Sequence, residues 1–214
     1  MASDHNLSGV GIKPHDTVAM MAEDDDMVIE AVCHPNWDRP EMQSISISAN
    51  VWGEDQRLGC SLEALRFAQV DFSLTDLKSV VTAFDEQSSF AFGLATETLR
   101  MRRTLMKRYI GERTCGFIGI TTIRTAPWAA GHQLGLKLLN YLRQLHAGMT
   151  WYAALQAAPM DLRDDDRAEK AMRRRLIKYY GSDPELGLIE DAPRSSPGLM
   201  TALWHDPWPT WDEE

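Results

Sequence analysis

The stretch from Thr114 to Pro159 reads TCGFIGITTIRTAPWAAGHQLGLKLLNYLRQLHAGMTWYAALQAAP. Its first part, Thr114 to Thr125, sets Cys115, Phe117, Ile118, Ile120 and Ile123 among small residues. Apolar or small side chains on both faces predict a central strand covered on each side. The strand stops at Thr125-Ala126-Pro127, and the turn Trp128-Ala129-Ala130-Gly131 leads into a run of different period. Leu134, Leu138, Leu142 and Leu145 recur at spacings of four and three, with Leu139 widening the stripe, which is an amphipathic helix. Gly148 ends it, and Met149 to Ala158 (MTWYAALQAA) is a second apolar strand closed by Pro159. Strand, turn, helix and strand make a βαβ unit with parallel strands and a right-handed crossover. The helix N-terminus then stands at the carboxyl end of the first strand with unpaired N–H groups, a ready anion site.

On the N-terminal side the pattern turns to simple alternation. Met27 to Cys33 (MVIEAVC) reads as a strand stopped by His34-Pro35. From Ser44 to Trp52, Ile45, Ile47, Ala49 and Val51 share one face and Ser44, Ser46, Ser48 and Asn50 the other, an antiparallel strand with one buried face. Gly53-Glu54-Asp55-Gln56 supplies a turn, and Leu58 to Phe67 returns as the hairpin partner. Leu77, Val80, Val81 and Phe84 fit a helix, and after Asp85-Glu86-Gln87-Ser88-Ser89 the residues Phe90, Leu94, Thr98 and Met101 resume, as two helices or one with a break. Arg100, Arg102, Arg103, Lys107, Arg108 and Arg113 follow. They read as a solvated helix face or as cations offsetting the acidic body beside a phosphate.

C-terminal to the central unit, Asp164-Asp165-Asp166 precedes a helix from Arg167 to Tyr180, with Arg173-Arg174-Arg175 and Lys178 toward its end, matching the macrodipole. Met172, Leu176 and Tyr179 or Tyr180 give its apolar face. Leu186 to Glu190 and Leu199 to Trp204 read as two strands. The expected fold is therefore α/β (α+β): a mixed sheet with antiparallel N-terminal strands and a central parallel βαβ unit flanked by helices. Residues 27–204 make a single domain. Residues 1–26, ending in Glu23-Asp24-Asp25-Asp26, read as a disordered acidic arm, and residues 205–214 as a Trp- and Pro-rich acidic tail.

The 214 residues suffice for a full core, and 44% hydrophobic with 25% charged residues is an ordinary globular composition. A formal charge of -9 argues against nucleic acid as a partner. No apolar run reaches the roughly 20 residues that span a bilayer and the N-terminus has no signal-peptide pattern, so no membrane partner and a cytoplasmic location are expected. Cys33, Cys60 and Cys115 are odd in number and far apart, in keeping with reduced thiols. A zinc site from Cys33, His34 and Cys60 lacks a paired Cys-x-x-Cys, and no metal is expected.

The segment Thr125-Ala126-Pro127-Trp128-Ala129-Ala130-Gly131-His132-Gln133-Leu134-Gly135-Leu136, with Lys137-Leu138-Leu139 after it, resembles the acyl-CoA-binding segment of GNAT-family (GCN5-related) N-acetyltransferases. That family shows a pattern like V-x-P-x-x-R-G-x-G-x-G-x-x-L-L. Pro127, Gly131, Gly135 and Leu138-Leu139 fall at matching places; Ala130 stands where Arg or Gln is usual, and Gln133 replaces the middle glycine. Arg175 to Tyr180 and Leu186-Gly187-Leu188 are similar to the family's aromatic–glycine segment. The resemblance implies transfer of an acyl group, acetyl above all, from CoA to an amine. Main-chain groups from Gly131, His132, Gln133, Leu134, Gly135 and Leu136 would hold the CoA pyrophosphate, and the main chain of Ile123 and Thr125 would bond the pantetheine. His132 is either a phosphate contact or an exposed turn residue.

By the same resemblance, a tyrosine at the end of the helix after the second central strand protonates the leaving sulfur. Tyr180 lies at that position as the candidate catalytic residue, and Tyr179 is expected to be nearly silent on loss of its hydroxyl; the alternative is that both merely pack. Glu97, Glu112 and Glu190 are unranked candidates for a base. The chain has no Gly-x-Ser-x-Gly elbow, Gly-Lys-Ser/Thr phosphate loop or His-Glu-x-x-His. Two functions stay open: a CoA-dependent N-acyltransferase on an unidentified amine, or a noncatalytic GNAT-like protein, either a degenerate CoA binder or an interaction module, kept in view by Ala130 and Gln133. Monomer and homodimer are both compatible with the sequence.

Overall fold

In the computed structural model, which describes residues 17–24, 27–51, 57–68, 77–100, 116–159, 166–191 and 196–205, one mixed sheet runs through the molecule. In chain order the elements are β1 (Thr17–Asp24), β2 (Met27–Pro35), β3 (Met42–Val51), β4 (Arg57–Ala68), α1 (Leu77–Asp85), α2 (Ser89–Arg100) and β5 (Gly116–Thr125). A 3-10 turn at Pro127–Ala129 leads to α3 (Leu134–Gln144), β6 (Thr150–Gln156), α4 (Asp166–Tyr180), β7 (Ile189–Glu190) and β8 (Leu199–His205). The eight strands lie in the order β1-β2-β3-β4-β5-β6-β8-β7. All neighbours are antiparallel except β5 and β6, which pair parallel from Gly116 opposite Trp151 to Ile120 opposite Leu155. The helical period of Leu134 to Leu145 thus bridges two parallel strands, as expected of a βαβ unit.

The periodicities of the strands divide their side chains between two cores. Ile45, Ile47, Leu62, Ile118, Trp151 and Leu155 face α3, whose Leu138, Leu139 and Leu142 are fully buried. Phe67, Phe117, Tyr152 and Ala154 face the opposite layer, where α1 and α2 contribute Val80, Phe84, Ala91 and Leu94. The rings of Phe84 and Phe117 stand 5.2 Å apart, tilted 46°, a favourable aromatic geometry. β5 and β6 therefore send apolar residues to both faces, because both faces are covered.

Four expectations need correction. Thr17–Asp24 is not an unordered arm: it pairs antiparallel with β2, Thr17 opposite Cys33 and Asp24 opposite Met27. The polarity of Glu23-Asp24 weighs less than the edge of β2, whose main-chain groups an adjacent extended segment satisfies. The strand expected over Leu186 to Glu190 is reduced to Ile189–Glu190, because Leu186 and Leu188 turn inward and the Leu186 carbonyl accepts from Trp204 Nε1 at 3.0 Å. Met172 faces outward, 36% exposed, so the buried side of α4 is set by Leu176, Ile177, Tyr179 and Tyr180. His205 closes β8 instead of beginning the tail. Residues 1–16, 25–26, the basic cluster 102–113, the remaining tail and the turn 52–56 lie outside the described residues.

Candidate functional site

A bulge opens the sheet. Glu63 pairs with Thr122 and Ala64 with Ile120, so Thr121 has no partner across β4, and its Oγ1 donates to the Glu63 carbonyl at 3.1 Å. An extra residue bends its strand, and here the bend coincides with the end of the parallel pairing at Ile120 and Leu155. Beyond it β5 stays with β4, while β6 follows β8, Gln156 opposite Leu199. A cavity of about 460 Å³ fills the gap, within the size range of small-molecule sites, ~300–1,000 Å³. Its walls are Ile120 to Ile123 of β5, and Leu155 and Gln156 of β6. Leu176 and Tyr180 reach it from the α3–α4 layer, Ser88 and Phe90 from the α1–α2 layer. The cavity is therefore bounded by helices from both faces of the sheet.

The main chain along this gap is directed by its neighbour. Ala126 N–H donates to the Gly59 carbonyl at 2.8 Å. Successive strand residues turn their main-chain groups to opposite sides. Thr125 and Ile123 therefore turn theirs away from β4 and into the gap. Ile123 lines the cavity; Thr125 is exposed, its Oγ1 3.4 Å from the Cys60 thiol.

At the start of α3, Gly131 (φ +90°), His132 and Gln133 are exposed, whereas Leu134, Gly135 and Leu136 are buried. His132 N–H donates to the Ala129 carbonyl at 3.4 Å and Leu136 N–H to Gln133 at 3.0 Å. The N–H groups of Gly131, Gln133 and Leu134 have no described carbonyl partner, as expected at a helix start. Gln133 is the N-cap, held at φ +56° with no side-chain capping bond. A side chain there is strained where glycine would be at ease. The position of Gln133 is thus one whose left-handed backbone favours glycine.

The two tyrosines at the end of α4 do different things. Tyr180 is buried, 8% exposed, and faces the cavity between β5 and β6. Burial pushes its phenol well above the usual range, with Tyr179 adding to the effect. Tyr179 instead reaches α3, where its hydroxyl accepts from Leu136 N–H at 3.3 Å. Burial raises its pKa too, while N–H groups of Leu136 and Gly135 pull the other way. A Cβ at Gly135 would stand 3.1 Å from that hydroxyl and 3.4 Å from Ile123 Cγ2, so glycine permits the approach. Tyr179 is therefore not silent packing, and nothing in one sequence pairs two residues 43 positions apart.

The expected bases do not converge on the cavity. Glu97 accepts from the Ser196 hydroxyl, and Glu190 accepts from Gly198 N–H at 2.8 Å. Glu112 lies outside the described residues. Among the described lining residues there is no carboxylate and no imidazole. Ser88, Phe90 and the Thr121 bulge are the contributors that sequence reasoning missed. Phe90 reads as an ordinary apolar helix position, and a bulge has no signature in one strand alone.

A second, smaller cavity of about 210 Å³ lies beside the 3-10 turn, between Trp128, His132, Lys137, Met27 and Val51. Among the described residues no group of three or more His, Cys, Asp or Glu is placed to hold a metal ion, and no helix is long and apolar enough to cross a membrane. No protein-family model, curated protein or solved structure matches the chain.

Proposed function

We propose that this chain is a GNAT-type N-acyltransferase that moves an acyl group, acetyl in the first instance, from CoA to an amine. The observation that carries the reading is the gap between two parallel strands, with the main chain of Ile123 and Thr125 turned into it and Tyr180 on its wall. The unmatched N–H groups of Gly131, Gln133 and Leu134 support a pyrophosphate seat at the start of α3, where the helix dipole favours an anion. A thioester donor supplies an activated acyl carbon on a sulfur leaving group. Ile123 and Thr125 would align the donor's amide-bearing arm along β5, as an added strand is aligned by main-chain bonds. Tyr180 would hold a proton at its phenolic oxygen for the departing sulfur; its burial keeps that proton in place at neutral pH. Apolar walls at Ile120, Leu155 and Leu176 would exclude water and so limit hydrolysis of the donor.

Two observations favour a noncatalytic relative instead. The Leu136 N–H is shared between the Gln133 carbonyl and the Tyr179 hydroxyl, and the N-cap position is held by Gln133 where the family pattern has glycine. Calorimetric titration with acetyl-CoA, followed by release of free CoA thiol in the presence of amines, separates the readings. Saturable binding with amine-dependent release supports the enzyme. Binding without release under any amine supports a noncatalytic CoA binder, and no binding removes the enzyme and leaves the interaction module.

A further inference from the structure

The outward face of α4 carries a charge opposite to that of the chain as a whole, whose formal charge is -9. Lys170, Arg174, Arg175 and Lys178 are all exposed. At 3.6 residues per turn they fall within one arc of roughly 140°, shared with Arg167 and Ala171. Lys170, Arg174 and Lys178 form a single row at spacings of four, an arrangement in which like charges repel. The helix dipole favours cations in the last turn, so it accounts for Lys178 but not for Lys170 or Arg174. Glu169 lies on the opposite side of the helix, where it pairs with Arg173.

The inner flank of the same helix reaches the cavity between β5 and β6, which Leu176 and Tyr180 line. Tyr179, the neighbour of Lys178, accepts the Leu136 N–H at 3.3 Å and so ties this end of the row to the start of α3. From Lys178 the row runs back to Lys170 over about 12 Å, at 1.5 Å per residue. One phosphate group at the start of α3 occupies only its near end. A partner that covers the whole row is larger than a nucleotide and acidic. To use the cavity as well, it must carry a slender arm that reaches past α4. We propose that α4 docks an acidic carrier protein whose phosphopantetheine thioester, the arm that CoA also carries, enters the gap between β5 and β6. This rests on the acyltransferase reading and names a macromolecular donor for it. Carboxylates four apart on a partner helix would match the row, about 5–6 Å between neighbours, and Arg174 and Arg175 can each take one by paired N–H bonds. A long polyanion such as RNA would instead meet the acidic body beyond α4. In the transfer, the amine nitrogen forms the C–N bond to the acyl carbon as the C–S bond breaks. The sulfur leaves with the electron pair and takes the Tyr180 proton, the nitrogen loses its surplus proton to solvent, and solvent reprotonates Tyr180. The carrier departs as its free thiol.

The test measures binding of the full chain to acetyl-CoA, to an acetyl-loaded acidic acyl carrier protein and to the same carrier without its arm. The loaded carrier should bind about tenfold or more tighter than either of the others, and more weakly as salt is added. Lys170→Glu with Arg174→Glu, two exposed positions away from Tyr179, should weaken the loaded carrier about tenfold or more and leave acetyl-CoA within about threefold. Lys170→Ala with Arg174→Ala should lose less, in the same direction, and serves where charge reversal impairs folding. Equal losses for acetyl-CoA and the carrier would assign these cations to the nucleotide and overturn the docking surface. Unmoved carrier binding in the variants, or tighter binding to single-stranded RNA or phosphatidylserine vesicles than to the carrier, overturns it while acetyl-CoA binding stands. Failure to bind acetyl-CoA at all overturns the acyltransferase reading, and this one with it.

Discussion

The Tyr179 hydroxyl oxygen lies 3.3 Å from the Leu136 amide nitrogen, so the last turn of α4 is fastened to the first turn of α3. The contact places a neutral acceptor where the positive end of α3 would otherwise face solvent or an anion. Tyr179→Phe deletes only that oxygen. A net hydrogen bond contributes about 0.5–1.5 kcal/mol, so a drop of that size in denaturant-measured stability is expected. The Leu136 N–H, then shared with the Gln133 carbonyl alone, should leave acetyl-CoA binding equal or tighter in calorimetry. Weaker binding with unchanged stability would mean that the hydroxyl contacts the ligand and not the helix.

Gln133 offers a gain instead of a loss. Its φ of +56° lies in the left-handed region, which costs an L side chain roughly 1–2 kcal/mol. Glycine avoids that cost but adds freedom to the unfolded chain, offsetting about 0.4–1 kcal/mol. Gln133→Gly should therefore raise stability by up to ~1 kcal/mol and open the approach to the unmatched N–H groups beside it. Tighter acetyl-CoA binding is the expected companion. A variant that is less stable and binds no better would show that Gln133 makes a contact worth more than its strain.

The βαβ unit was legible because two different periods meet at Pro127: apolar residues on both faces before it, a leucine stripe after it. The antiparallel half was legible from Ile45, Ile47 and Ala49 alternating with serines. What could not be read depended on partners distant in sequence. β1 orders because β2 leaves an edge, and Thr121 is unpaired only because Glu63 and Ala64 sit across from its neighbours. The tyrosine pair was visible, but only the structure shows that Tyr179 meets the Leu136 N–H on α3 while Tyr180 lines the cavity. The candidate base residues failed for a related reason: Glu97 and Glu190 are spent on Ser196 and Gly198, contacts made by a loop near the far end of the chain.

His146 makes stability depend on acid. It is buried at the end of α3, its Nδ1–H donating to the Leu142 carbonyl at 2.8 Å, its ring edge-on to Trp151. Burial, with the Arg66 guanidinium nearby, lowers its pKa from 6.5 to about 4. The unfolded chain then binds a proton more readily than the folded one between those values, so stability falls as pH drops from about 6.5 to about 4. The full loss is about 3 kcal/mol. His146→Gln, which retains a donor for Leu142, should flatten this part of the pH–stability curve. An unchanged slope would assign acid sensitivity to other groups.

Tyr180 carries the mechanistic prediction. Its ring belongs to the buried core and its surface faces the gap between β5 and β6. On the proposed acyltransferase reading, Tyr180→Phe removes the proton donor and leaves the ring, so the fold should survive. Losing a positioned proton donor typically lowers rate by 10²–10⁴, about 3–5 kcal/mol of barrier. kcat should fall by that factor with acetyl-CoA affinity nearly level, because the lost interaction matters only as sulfur departs. The alkaline side of the profile offers a second reading of the same group. Burial raises the Tyr180 pKa above its unfolded value near 10. Its phenol should therefore not limit kcat near pH 10, while folding stability should decline as pH rises beyond that point. In Tyr180→Phe this part of the alkaline decline should disappear. A full rate in the phenylalanine variant would mean that solvent supplies the proton and that Tyr180 only shapes the cavity wall.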